Sequence, residues 1–118
     1  MNTRAKPLPE SLITNHQSLS LLRWYALYTR PRHEKAVAGQ LARHQIEAFL
    51  PLREVLSRRK DRRKLVQLPL FSGYVFVRTA LARKRDVVST DGVVSMVSFR
   101  GTPAPIPDEQ IEAVREIC

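Results

Sequence analysis

The segment PLFSGYVFVR, residues 69–78, places two aromatic side chains two positions apart in a valine-rich run that follows a Ser-Gly break. Valine, tyrosine and phenylalanine favour strands, so the run predicts a strand over residues 74–79. Side chains two positions apart point to the same face of a strand. Tyr74 and Phe76 should therefore lie side by side on one face of a sheet, which raises the question of what they contact.

The segments before this strand predict a strand and then a helix. WYALYT, residues 24–29, is rich in strand-favouring residues, and Pro31 after it suits the first turn of a helix. In RHEKAVAGQLARHQ, residues 32–45, Val37 and Leu41 recur at the spacing of one helix face. This spacing predicts an amphipathic helix.

A long hairpin is predicted between this helix and Tyr74. Residues 47–57 and 64–70 are extended runs, and RRKDRRK, residues 58–64, between them is nearly all basic. Pro51 and Pro69 cannot donate a hydrogen bond to a neighbouring strand, so they are expected at edges or bulges. Charge runs are usually solvated, and we expect the same of this tip.

The C-terminal part of the chain predicts three further elements. Residues 80–90 indicate a short helix or turn, and residues 93–99 a strand. The residues expected on one face of that strand are Val93, Ser95, Val97 and Phe99. Asp108 is the predicted N-cap of a last helix. The apolar positions of that helix are Ile111, Val114 and Ile117.

The order strand, helix, strand, strand, short helix, strand, helix predicts an α+β fold. Such repeats pack as a mostly antiparallel four-stranded sheet, here a ferredoxin-like sandwich of order β-α-β-β-α-β-α with flanking helices on one face. Residues 23–118 form this domain, and residues 1–22, with no sustained period, predict a flexible leader. The last predicted helix reaches the end of the sequence without a Gly, Asn or Pro stop signal. We therefore expect that the natural chain continues beyond this point or was cut here.

The charge of the chain favours an anionic partner. Its 118 residues contain twenty Lys and Arg against eleven Asp and Glu, a formal charge of +9. Such a balance is typical of nucleic-acid binding, although a merely soluble basic surface is the alternative. The single Cys118 excludes an internal disulfide and indicates a reducing, cytoplasmic location. No apolar stretch approaches the roughly 20 residues of a membrane span, so no membrane contact is expected.

The sequence offers no catalytic or metal-binding constellation. His33 and His44 fall on the predicted helix without a cysteine beside them, so a zinc ligand set is missing. The acidic residues are scattered among basic ones and form no carboxylate pair for acid-base catalysis. The four glycines form no phosphate-binding loop. We therefore expect a binding protein without enzyme activity, metal or cofactor.

Two binding hypotheses account for Tyr74 and Phe76. The segment partly matches the RNA-recognition signature K/R-G-F/Y-G/A-F-V-x-F/Y, which predicts that both rings stack on bases of single-stranded RNA. Val75 replaces the small residue of that signature and weakens this hypothesis. Alternatively, exposed rings build an apolar patch that binds helices of another protein. The rings could also belong to the core, but a sheet with helices on one face cannot bury them all.

Four segments together resemble the N-terminal (NGN) domain of NusG-type transcription elongation factors. They are WYALYT, PRHEKAVAGQLARHQIEAFLPL, PLFSGYVFVR and GVVSMVSFRGTPAPIP, and they cover residues 24 to about 115. The details are most similar to the specialised, RfaH-like members. The resemblance implies an elongation or antitermination factor domain that bridges the cleft of bacterial RNA polymerase, docks on the clamp helices of the β′ subunit and suppresses pausing.

The resemblance also implies residue roles. Those implied for polymerase binding are Tyr28, Phe71, Tyr74 and Phe76, with Phe99 and Ile111 as supports. Those implied for binding the non-template DNA strand are Arg30, Arg32, Gln40, Arg43 and Thr90. The DNA contacts would combine phosphate attraction with a few base-edge hydrogen bonds. Asp91 stands where RfaH-like members carry a basic residue, so the resemblance does not extend to the DNA element that they read.

Three further expectations follow from the resemblance. Residues 79–90 would contact the polymerase β subunit, although this segment is shorter than in RfaH-like members. The domain would act as a monomer. The C-terminal KOW barrel that the family usually carries is absent from this chain. Truncation before the linker would explain why no stop signal ends the last predicted helix.

Overall fold

A computed structural model describes residues 21–59 and 62–118. Residues 1–20 of the predicted leader and residues 60 and 61 of the predicted hairpin tip lie outside the described residues. The elements in chain order are β1 (Arg23–Thr29), α1 (Glu34–Arg43), β2 (Glu47–Phe49), β3 (Leu52–Arg59), β4 (Arg62–Pro69), β5 (Tyr74–Thr79), a 3₁₀ turn (Leu81–Arg83), α2 (Lys84–Val88), β6 (Val93–Met96), β7 (Ser98–Phe99), β8 (Thr102–Pro103) and α3 (Asp108–Ile117).

The central sheet has four strands in the order β2-β5-β1-β6. All three strand pairs are antiparallel. Counted along the chain, the four strands follow the order 2-3-1-4 of a ferredoxin-like sheet, in which each helix connects strands that are not direct neighbours. The α+β fold class and the four-stranded antiparallel sheet predicted from the sequence are confirmed.

The core lies between this sheet and the two helices α1 and α2. β1 contributes Tyr25 and Leu27, and β5 contributes Val75 and Val77. The core residues from the two helices are Val37, Leu41 and Val87. Val37 and Leu41 are fully buried, which confirms the helix face predicted from their spacing.

The third helix lies on the opposite face of the sheet, so the prediction of helices on one face only is wrong. The Arg115 guanidinium lies 4.5 Å from the ring centroid of Phe49 and 5.7 Å from that of Trp24. Ile111, one turn earlier on the same side of α3, is 2% exposed. Trp24 points away from the core on β1, and α3 buries this apolar surface.

The predicted hairpin is confirmed, but its first strand is shorter than expected. The run over residues 47–57 is interrupted at Pro51, which has no N–H to donate. The Pro51 carbonyl instead accepts a hydrogen bond from the Leu70 N–H at 2.8 Å. β2 therefore joins the central sheet, while β3 and β4 form a separate two-stranded sheet.

The strand predicted over residues 93–99 is divided by an irregularity. The register against β1 shifts between Tyr28 and Thr29, so that Thr29 pairs with Val93 while Tyr28 pairs with Ser95. Val94 is the extra residue of this bulge, and Val93 and Met96 both reach the core. The predicted common face of Val93, Ser95, Val97 and Phe99 is therefore wrong.

Both long helices start at positions slightly different from those predicted. α1 starts at Glu34 because Pro31 and Arg32 form a turn in which Arg32 has a φ of 66°. Pro107 occupies the N-cap position of α3, and Asp108 is its first helical residue without a side-chain capping bond. Within the described residues, none of the helices is long and apolar enough to span a bilayer.

Candidate functional site

The face of β1 and β5 opposite the core carries an exposed pair of tyrosines. Tyr28 and Tyr74 are directly opposite each other in the antiparallel register. Their ring centroids are 5.5 Å apart, and the residues are 46% and 36% exposed. α3 covers the Trp24 end of this face but leaves the two tyrosines open to solvent.

Phenylalanine rings extend this surface towards α3. Phe71 packs edge-on against Phe76 at 5.8 Å between centroids, and Phe76 lies 6.2 Å from Phe49. Phe49 in turn contacts Trp24 at 6.4 Å beneath Arg115. We call Tyr28, Phe71, Tyr74 and Phe76 the aromatic patch. The structure brings these four predicted residues together.

The turn before β5 is held by α1. The Glu34 carboxylate accepts a hydrogen bond from the Gly73 N–H at 2.6 Å, and the Gly73 carbonyl accepts one from Thr29 at 2.8 Å. Gly73 has a φ of 85°, and a Cβ at this position would lie 3.5 Å from the Tyr28 ring. The turn therefore lies directly against Tyr28 and fixes the positions of Phe71 and Tyr74 on either side of it.

A cleft of about 560 Å³ opens beside Tyr28. Its walls come from the turn after β1, the start of α1 and the base of the hairpin. Three cationic residues, Arg32, Lys35 and Arg53, line it together with the exposed Leu68. Lys35 also donates a hydrogen bond to the Gln67 carbonyl at 2.7 Å, which ties α1 to β4. The aromatic patch is thus bordered on this side by three cationic residues together with the Glu34 carboxylate that holds Gly73.

The residues implied for DNA binding are divided between two places. Arg30 and Arg32 lie in the turn after β1, and Arg32 lines the cleft beside Tyr28. Gln40 and Thr90 line a second cleft, between α1 and the end of α2. Arg43 lies three residues after Gln40 on α1 and is exposed.

The second cleft has mixed charge. The Gln40 amide donates a hydrogen bond to the Asp91 carbonyl at 3.2 Å, and the Thr90 hydroxyl donates one to the Asp86 carbonyl at 3.3 Å. The lining of the cleft also includes Asp86, Asp91, His44 and Arg83, and the Arg83 guanidinium lies 3.7 Å from the Asp86 carboxylate. The two carboxylates disfavour a bound anion here. They can accept hydrogen bonds from a donor such as the amino group of a base.

Phe99 and Ile111, implied as supports, occupy very different environments. Ile111 is a buried residue of α3. Phe99 is 68% exposed on the small β7–β8 hairpin, where the Arg100 guanidinium lies 5.2 Å from its ring centroid. The structure therefore does not place Phe99 beneath the aromatic patch.

The family of the chain follows from its sequence. The protein-family model described as "Transcription termination factor nusG" matches residues 22–115. The chain belongs to the NusG family. The proteins of this family are transcription factors, so the aromatic patch and the two clefts belong to a transcription factor domain. No curated protein matches the chain.

A solved structure from the same family shares the fold. The structure described as "Domain interaction in Thermotoga maritima NusG" superimposes with a TM-score of 0.57 at 23% sequence identity. The similarity covers 79% of this chain and 55% of the Thermotoga chain. This chain thus spans little more than half the length of that NusG, and the likeness concerns the fold.

The sequence did not single out several residues that shape this site. Lys35, Arg53 and Leu68 border the cleft, and their residue types are too common on surfaces to mark them. Glu34 is buried and holds Gly73, although an acid in a first helical turn is ordinary. Phe49 does not stand out in the sequence, because the run over residues 47–57 predicts a single strand of the hairpin.

Proposed function

We propose that this NusG-family domain is an elongation or antitermination factor that binds bacterial RNA polymerase and suppresses pausing. In this proposal the aromatic patch docks on the clamp helices of the β′ subunit. The observation that carries it is the Tyr28–Tyr74 pair, which stays exposed although α1 and α2 cover one face of the sheet and α3 covers the Trp24 end of the other. Exposed aromatic surfaces with a polar rim are typical of helix-binding sites.

The geometry gives the patch the features of an interface centre. Tyr28 and Tyr74 present rigid rings with a hydroxyl at the tip, and Phe71 and Phe76 fill the space beside them. Aromatic anchors of this kind cost at least roughly 2 kcal/mol of binding energy each when truncated at a packed interface. The cationic rim formed by Arg32, Lys35 and Arg53 suits a partner with negative charge next to its apolar helices.

The proposal extends to the non-template DNA strand. Arg30 and Arg32 would attract phosphates next to the aromatic patch, and Gln40, Arg43 and Thr90 would contact the strand along α1 and the second cleft. We further propose a contact of residues 79–90 with the polymerase β subunit. The domain would act in the cytoplasm as a monomer that forms these contacts on polymerase.

Binding to the isolated clamp helices tests the docking. We expect Tyr74→Ala to weaken binding at least about 30-fold, the equivalent of a 2 kcal/mol hot spot, while Tyr74→Phe keeps most of the affinity. Leu81→Ala is the matched control, since Leu81 is exposed at a position away from the aromatic patch. Wild-type affinity for a folded Tyr74→Ala protein would rule out docking through this patch.

RNA binding remains the second candidate, because Tyr28, Tyr74 and Phe76 share an open sheet face as base-stacking rings do. Against it, the Phe76 ring is flanked by Phe71 and Phe49, which leaves little of its face for a base. Titration with single-stranded RNA separates the two functions. Tight RNA binding that Tyr74→Ala and Phe76→Ala abolish would favour the RNA-binding module over docking.

The salt dependence of DNA binding tests Arg30 and Arg32. Replacing both with alanine should weaken binding of the non-template strand and lower the slope of log K against log salt by up to about 1.4, at about 0.7 per lost phosphate contact on a single strand. Replacing Lys84 and Arg85 with alanine removes the same charge elsewhere and should change the slope little. An unchanged slope for the Arg30 and Arg32 variant would make them solvated surface residues.

A further inference from the structure

The β3–β4 hairpin carries a dense cluster of positive charge outside the sites described above. Eight residue pairs join its strands, and it forms a sheet of its own beside the four-stranded sheet. The exposed cations of its outer half are Arg58, Arg62, Arg63 and Lys64. We propose that this hairpin is a separate DNA-binding element that enters the major groove of duplex DNA and contacts phosphates without reading sequence. It does not depend on the aromatic patch.

Within the described part of the hairpin, these four cations form no ion pair. Arg58 lies directly opposite Arg63 in the ladder, and like charges in such positions destabilise a hairpin. The ion pairs found among residues 21–59 and 62–118 are Arg78–Glu47, Arg83–Asp86 and Arg115–Glu112. None of them involves the four cations. A polyanion would therefore relieve repulsion that the folded hairpin otherwise retains.

The cations are distributed over both faces of the hairpin. Arg58 and Arg63 share one face, whereas Arg62 and Lys64 alternate with Arg63 and point to the other. Eight residues of strand extend about 26 Å, and the major groove of B-DNA, about 12 Å wide, admits a two-stranded ribbon. A ribbon inserted there has one sugar-phosphate wall on each side, so cations on both faces match the groove.

Other polyanions fit this hairpin less well. Residues 52–69 contain no aromatic side chain, and binding of single-stranded nucleic acid relies on aromatic stacking. The major groove of double-stranded RNA is too deep and narrow for a side-chain-bearing ribbon. The outer half of this hairpin exposes one apolar pair, Leu56 opposite Leu65, among its arginines and lysines, and it lacks the aromatic anchors found at the centre of protein interfaces. Duplex DNA is the ligand that remains.

Anisotropy titrations with a 20-base-pair DNA of arbitrary sequence test the proposal. The variant is the triple substitution R62Q/R63Q/K64Q, and the control K84Q/R85Q/R100Q removes the same charge outside the hairpin. We expect the hairpin variant to lose at least about tenfold more duplex affinity than the control at 0.1 M salt. Its slope of log K against log salt should fall by about 2 to 3, at about 0.9 per phosphate contact.

Three measurements decide the outcome. Equal losses of affinity in the hairpin variant and the control would overturn the proposal, because the effect would then reflect net charge alone. Equal wild-type affinity for double-stranded RNA or single-stranded DNA of the same sequence would overturn groove insertion. Binding to the clamp helices should be unchanged in the hairpin variant, so this proposal and the polymerase-docking proposal can fail separately.

Discussion

The two faces of the central sheet are built from alternate residues of the same strands, yet helices cover them to different extents. On one face, Tyr25 and Leu27 of β1 and Val75 and Val77 of β5 are closed beneath α1 and α2. On the other, α3 closes only the Trp24 end and leaves Tyr28 and Tyr74 exposed. A single step along a strand thus separates a residue that stabilises the domain from one that is free to bind.

This difference shows how a small domain can keep an aromatic surface without losing its fold. Leu27, between Ala26 and Tyr28, is fully buried and connects the sheet to α1, whereas the Tyr28 ring packs mainly against Tyr74. Removing a side chain from the closed face should therefore cost stability. Removing one from the open face should cost binding.

Leu27→Ala should have the largest effect on stability. Deleting a fully buried leucine costs about 2–5 kcal/mol, because apolar contacts are lost and a cavity remains. The neighbouring Tyr28→Ala should cost about 1 kcal/mol, close to the value of one aromatic pair. Urea unfolding of both variants measures the contrast. Similar losses of unfolding free energy would mean that the two faces are equally closed.

Gly92→Ala should have the next largest effect. Gly92 has a φ of 96°, and its Cβ would come within 2.9 Å of a Val37 methyl group in the core. Backbone strain and overpacking together should destabilise the domain by about 2–4 kcal/mol. Gly73→Ala is the matched substitution on the open face, where the Cβ would lie at an ordinary 3.5 Å from the Tyr28 ring.

At Gly73 only the backbone strain of about 1 kcal/mol should remain. Thermal unfolding of Gly73→Ala and Gly92→Ala compares how closely neighbouring atoms pack against these two positions. A loss at Gly73 as large as that at Gly92 would contradict the open character of the face that carries Tyr28.

Arg115→Gln tests how firmly α3 closes its part of the open face. The guanidinium lies over both Phe49 and Trp24 and is partly exposed, so its removal should cost about 0.5–1 kcal/mol. Trp24 is the single tryptophan, and its fluorescence reports on α3 during unfolding. Arg100→Gln is the control, because Arg100 lies over the exposed Phe99 and should matter less. A larger loss for Arg100→Gln would contradict the role of Arg115.

Gly39→Ala should give the smallest effect, and a favourable one. On the outer side of α1, a Cβ at Gly39 would meet only the Arg43 side chain, at 3.8 Å. Alanine in place of glycine within a helix stabilises it by up to about 1 kcal/mol. A rise in the midpoint of urea unfolding, with binding to the clamp helices unchanged, is the expected result. A lower midpoint would indicate that α1 is packed on both sides.

The sequence was informative wherever one periodicity ran without interruption. The helix face of Val37 and Leu41, the strand over residues 74–79 and the paired strands of the hairpin were all predictable from local pattern. The prediction failed where a single residue broke the period. Pro51 ended β2, the bulge at Val94 reversed the faces of β6, and the turn at Arg32 delayed α1.

The sequence by itself determined the fold class, the family and the common face of Tyr74 and Phe76, because these depend on spacing along the chain. Only the tertiary structure decided which aromatic residues α3 buries, which cations border the Tyr28 cleft and that Glu34 holds Gly73. Such contacts join residues far apart in sequence. Their geometry depends on how the helices cross the sheet, and local side-chain periodicity does not specify that crossing.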